Sequence, residues 1–127
     1  MRKAKSVVTM LFAALVGTAL ATGPAYASQD IAATTVFLGR NPVGYGYFKA
    51  NGDKLAACDT KADGYGVRAT LKGLRTGHVC KSVFVGGAGR CVTNSSNLPE
   101  EQFVQLTVCM VDNGVQFNCK TSRRGIS

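Results

Sequence analysis

An all-β fold, a small disulfide-stabilised β-sandwich or barrel with an extra N-terminal strand, is predicted by three observations. Apolar and polar residues alternate at a period of two over residues 65–71 and 104–110, the mark of a strand with one wet face. Turn pairs recur between such runs: Asn51-Gly52, Asp63-Gly64 and Asn113-Gly114. Five cysteines share the same stretch, with no Cys-x-x-Cys among them. Only residues 98–103 hint at helix, and then for one turn. Roughly six to eight short strands with no long helical period leave an all-β architecture.

The chain opens with Arg2, Lys3 and Lys5, an apolar run over residues 7–21, and Ala25-Tyr26-Ala27. A basic head, an apolar middle and a small-x-small end are the parts of a secretory signal peptide. The run is about 15 residues, short of the roughly 20 a membrane span needs. Residues 1–27 are therefore expected to be removed, leaving a secreted protein with no membrane association after cleavage.

Residues 28–40 form an N-terminal extension carrying a strand, and residues 41–127 the sandwich domain. The extension contains IAATTVFLG, and Asn41-Pro42 punctuates it, since a residue before proline is pushed out of helix. Residues 43–50 and 54–60 are strands of a hairpin turning at Asn51-Gly52. A two-residue loop would set Lys49 opposite Lys54, whereas a three-residue loop sets it opposite Asp53; charge favours the second. Further strands are expected at 65–71, 79–85, 90–93, 104–110 and 115–121. The predicted core is Phe48, Leu55, Val67, Leu71 and Phe84 from the first half, then Val104, Leu106, Val108, Met110 and Phe117.

The formal net charge is +8. Three of the fifteen cations precede residue 28, so twelve Lys and Arg remain against seven Asp and Glu, a net +5. These cations are scattered, only Arg123 and Arg124 being adjacent, which argues against a nucleic-acid groove. A soluble surface with mild attraction to anionic cell walls or acidic partners fits better.

Cys58, Cys80, Cys91, Cys109 and Cys119 are expected to be oxidised in an exported protein, with one left over. Two bridges would contribute on the order of 2–4 kcal/mol each to a domain whose core alone is marginal. In a strict two-residue hairpin at Asn113-Gly114, Cys109 and Cys119 fall on opposite sheet faces. Bridging them requires a bulge.

Tests for chemistry return no catalytic, metal or cofactor site. Asp59 and Asp63-Gly64 superficially match a calcium loop, but its third and twelfth positions hold Lys61 and Thr70. His78 beside Cys80 lacks an orienting third group. Glu100 and Glu101 are neighbours rather than an opposed pair. Gly86-Gly87-Ala88-Gly89 lacks the lysine of a phosphate loop. Tyr45, Tyr47 and Phe48, with Tyr65, form either a contact patch or ordinary strand surface packed under a loop.

The run Gly52-Asp53 to Cys58-Asp59, then Asp63-Gly64 and an alternating strand, resembles small cysteine-containing β-proteins exported by Streptomyces-type actinobacteria. So does the ending Cys109, Gly114, Cys119 with a following arginine. The overall build is similar to that of the small adaptor subunit of secreted umbrella toxin particles. That resemblance implies bridges Cys109–Cys119 and Cys58 to Cys80 or Cys91. It also implies a non-enzymatic adaptor in a toxin complex that engages larger secreted protein partners through an extended N-terminal strand. Ile31, Thr34, Val36 and Leu38 would then meet the partner, by strand addition to its sheet, unless they pair within their own sheet. An alternative from another class is a small secreted inhibitor of an extracellular hydrolase, presenting residues 76–81 or 86–90.

Overall fold

The structure, a computed structural model, describes residues 27–127. The export segment expected at residues 1–27 lies outside the described residues apart from Ala27. Eight strands follow in order: β1 (Ile31–Leu38), β2 (Asn41–Lys49), β3 (Lys54–Asp59), β4 (Gly66–Gly73), β5 (Val79–Val85), β6 (Arg90–Asn94), β7 (Phe103–Asp112) and β8 (Val115–Ile126). They form two four-stranded sheets, β1-β2-β3-β6 and β5-β4-β7-β8. No helix occurs among the described residues. The chain is thus a disulfide-stabilised β-sandwich. Its N-terminal strand is a member of the first sheet, antiparallel to β2.

The sheets face each other across Phe48 and Leu55 on one side and Leu71, Leu106, Val108 and Met110 on the other, all fully buried. Burial of each such side chain stabilises by roughly 1.5–3 kcal/mol. The sheets come closest at β2. A Cβ at Gly44 would run into Val67 Cγ2, and one at Gly46 would stand 2.8 Å from Val108 Cγ2. Because side chains alternate, that inward face for Gly44, Gly46 and Phe48 turns Tyr45 and Tyr47 outward.

Three expectations are corrected. Phe84 is not in the core but 44% exposed, because Val83 and Val85 take the inner face of β5. Phe117 packs against the core while only partly buried. The first hairpin turns at Gly39-Arg40, ahead of Asn41-Pro42; Pro42 lies at the start of β2, beyond the reach of β3, where a missing N–H breaks no ladder bond.

The loop at Asn51-Gly52 takes the two-residue register, not the one that charge favours. Lys49 stands opposite Lys54, and a turn from Ala50 to Asp53 connects them, the Asp53 N–H donating to the Ala50 carbonyl at 3.2 Å. Gly52 and Asp53 take φ of 88° and 50°, left-handed values that glycine and aspartate tolerate. Asp53 does not answer Lys49, because its carboxylate is engaged elsewhere. It accepts from the Leu98 N–H at 2.7 Å and is buried.

The disulfides are Cys58–Cys91, between the neighbouring strands β3 and β6, and Cys109–Cys119, across β7 and β8. The second uses the required bulge. Val108 stands opposite Lys120 but Met110 opposite Phe117, so Asn118 and Cys119 together face Cys109. Asn118, at φ 48°, absorbs the extra residue and returns Cys119 to the face of Cys109. Cys80 is the unbridged cysteine.

Candidate partner-binding site

The first sheet ends at β1 and the second at β8; their main chains meet in one bridge. Side chains join them again at the far end, where Asn118 Nδ2 donates to the Phe37 carbonyl at 3.4 Å and Lys120 Nζ lies 5.2 Å from the Phe37 ring centroid. The Gln29 N–H donates to the Ile126 carbonyl at 2.9 Å and the Ile126 N–H to the Gln29 carbonyl at 3.0 Å. Beside this bridge Ile31 covers Gly125, where a Cβ would stand 2.6 Å from Ile31 Cγ1. Between the bridge and the Phe37 contacts the edges part. Both are bulged: Ile31 stands opposite Phe48 but Thr34 opposite Gly46, so Ala32 and Ala33 share one partner position. On β8, Ser122 leaves the ladder and its hydroxyl accepts the Leu106 N–H at 3.0 Å. The result is an open groove of about 300 Å³ between residues 29–34 of one edge and Ser122, Arg123 and Arg124 of the other.

The expected contact residues separate. Ile31 and Val36 point into their own core, 5% and 0% exposed. Thr34 is half-buried beside the groove, its hydroxyl 3.5 Å from the Ala32 carbonyl. Leu38 is exposed at the far turn. Tyr45 and Tyr47 lie side by side on the outer face, ring centroids 6.4 Å apart. They stand opposite Cys58 and Ala56 of β3, both buried. Tyr65 is elsewhere, edge-on to Phe117 at 5.2 Å and packed against the core.

Ser122, Arg123 and Arg124 were not anticipated at this site. The adjacent arginines were the available signal, but placing them beside β1 requires knowing that β8 is an edge.

The residues tested for chemistry serve local structure. Asp59 accepts the Lys61 N–H at 3.1 Å and Asp63 the Tyr65 N–H at 2.9 Å, closing turns rather than a cation cage. Burial raises the Asp59 carboxyl above its ordinary value, aided by the charge of Asp63 and opposed by that hydrogen bond. Cys80 Sγ faces the His78 carbonyl at 3.8 Å and Gln102 Oε1 at 4.0 Å. Among the described residues no group of three or more His, Cys, Asp or Glu is placed to hold a metal ion. The two loops considered for inhibition are short and tied down. Gly77 N–H donates to the Gly73 carbonyl at 2.8 Å, and Gly89 N–H to the Asp59 carbonyl at 2.7 Å.

The architecture defines a two-disulfide β-sandwich. No protein-family model matches the chain, and no curated protein matches it. Among solved structures it is similar to an endonuclease/exonuclease/phosphatase from Beutenbergia cavernae DSM 12333, with a TM-score of 0.51 and 26% identity. That similarity covers 74% of this chain and 27% of the other, so the chain spans about a quarter of that protein's length.

Proposed function

We propose that the protein is a secreted, non-enzymatic binding module that accepts an extended segment of a larger extracellular partner at the β1–β8 edge. The observation that carries this is the single bridge between the two edges, after which both present main chain to an open groove. An added strand supplies main-chain hydrogen bonds, while alternate side chains fill pockets. The partner donates the strand; β1 does not, since its pairing with β2 and the burial of Ile31 and Val36 tie it to its own domain. An adaptor role in a toxin particle is compatible with this arrangement. So is the likeness to a segment of a much longer chain. The two disulfides fit an oxidising extracellular setting.

Deleting β1 would remove core residues, so the test uses Ala32→Lys and Ala33→Lys, both at exposed positions. Charged side chains on an edge obstruct strand addition. Tagged protein incubated with culture supernatant is expected to co-elute with a larger secreted protein, and the variants to lose it while keeping the parent's denaturation midpoint. Equal co-elution by parent and variants would refute the edge as the site.

A further inference from the structure

The outer face of the β5-β4-β7-β8 sheet shares only Arg124 with the edge groove, and its register sorts side chains into rows. Thr70 stands opposite Ser82 on β5 and Thr107 on β7, and Thr107 opposite Thr121 on β8. One hydroxyl from each strand thus lines up across the sheet. With strands about 4.8 Å apart the row is roughly 14 Å long. Within it the hydroxyls of Thr70 and Ser82, and of Thr107 and Thr121, lie 3.5 Å apart. Arg68 flanks the row on one side, opposite Phe84 and Cys109. Lys72, Gln105 and Arg124 flank it on the other, paired across β4, β7 and β8.

No carboxylate balances these cations within the sheet. β4, β5 and β8 contain no Asp or Glu, and β7 contains only Asp112, its last residue. Both guanidiniums are laid on rings: Arg68 Cζ is 5.4 Å from the Phe84 centroid and Arg124 Cζ 4.8 Å from that of Phe103. Arginines held this way give up less rotamer freedom when they bind an anion. A shallow depression of about 300 Å³ lies over Arg68, Thr70, Lys72, Ser82 and Thr107.

We propose that this face docks an anionic polysaccharide, its chain running along the hydroxyl row with its charged groups reaching the cations on either side. Serine and threonine hydroxyls both donate and accept, which suits a partner bearing hydroxyls of both roles. Single-stranded nucleic acid is disfavoured because each of the face's two rings, Phe84 and Phe103, already has a guanidinium over it, which leaves no run of free rings for successive bases. A protein partner is disfavoured because the hydroxyl row is polar, the exposed apolar side chains Val79 and Phe84 standing outside it.

The probe is polygalacturonate, titrated calorimetrically into the purified protein at ionic strengths of about 0.01 M and 0.15 M, with dextran as the uncharged control. Polygalacturonate is expected to bind, more weakly at higher salt, and dextran not to bind. The pair Arg68→Gln and Lys72→Gln should weaken binding by roughly fivefold per cation at low salt. Lys49→Gln with Lys54→Gln removes the same charge from the other sheet and should change it less than about twofold. The pair Thr70→Val and Thr107→Val should weaken binding without altering its salt dependence. Equal losses from the two charge pairs would mean net charge alone acts and would overturn the proposal. So would absence of polygalacturonate binding, or tighter binding of a single-stranded oligonucleotide that the Arg68 and Lys72 substitutions abolish.

Discussion

Where β8 meets β1 the sheets are joined by main chain: one reciprocal pair of hydrogen bonds between Gln29 and Ile126, with Ile31 seated over Gly125. At the opposite seam, between β5 and β6, they are joined by side chains. The Lys81 ammonium, on a residue 4% exposed, donates to the Asp53 carbonyl and to the Asn94 carbonyl, the latter at 3.4 Å. The Asp53 carboxylate accepts from Leu98 and draws the loop after β6 over the seam, with Leu98 packed against the core. A main-chain seam depends only on edges and register, so another strand can extend it. A side-chain clasp is complete as it stands and carries the desolvation of a buried charge. On the binding role proposed above, the first seam is the one a partner strand would extend.

The largest effect is expected from breaking the clasp. Asp53→Ala leaves the Leu98 N–H without an acceptor and Lys81 without its nearby opposite charge. It should cost about 3 kcal/mol, read from urea denaturation. The open seam should respond less. Gly125→Ala places a methyl 2.6 Å from Ile31 Cγ1 and 2.8 Å from the Gln29 carbonyl, so backbone or side chain must shift. A loss of about 2 kcal/mol is expected. Faster amide exchange at Ile126, with the Leu98 amide unchanged, would show that the seams yield independently; faster exchange at both amides would show that they do not.

The difference between the seams also marks what the sequence reveals. Residues 65–71 and 104–110 alternate cleanly, so β4, β7 and their buried members Val67, Leu71, Val104, Leu106, Val108 and Met110 follow from pattern alone. In β5 the pattern misleads. Placing Phe84 inside would turn Lys81, Val83 and Val85 out, and a lysine outside looks correct. The chain takes the other parity, burying two valines and turning Lys81 into the clasp. A lysine that finds two carbonyls, one in the turn before β3 and one at the end of β6, cannot be recognised from its neighbours in sequence. The same limit applies to Cys91, which bonds Cys58 because β6 lies beside β3. It applies to the cations too: Arg68, Lys72 and Arg124 look scattered along the chain, and only register gathers them on one face. The bulge at Asn118 was inferable from the cysteines; the groove beside Ser122 was not.

The smallest effect concerns the clasp's own charge. Burial lowers the Lys81 ammonium from its ordinary value of 10.5, and the Asp53 carboxylate partly restores it. The unfolded chain therefore holds this proton more tightly than the folded one. Below the folded value the cost of the buried charge is fully present. Between that value and 10.5 the unfolded state binds more protons, and stability rises with pH. Lys81→Met keeps the apolar stem and removes the titrating group. At neutral pH it also takes the donor from the Asp53 and Asn94 carbonyls, so the small effect of the charge is read from pH dependence and not from the neutral-pH stability itself. Its signature is the slope: the parent should gain stability toward alkaline pH relative to the variant. The comparison is best made in a Cys80→Ser background, so that no thiolate reshuffles the bridges. Parallel pH profiles would mean that Lys81 is charged at no cost, and that the two seams differ in geometry but not in electrostatics.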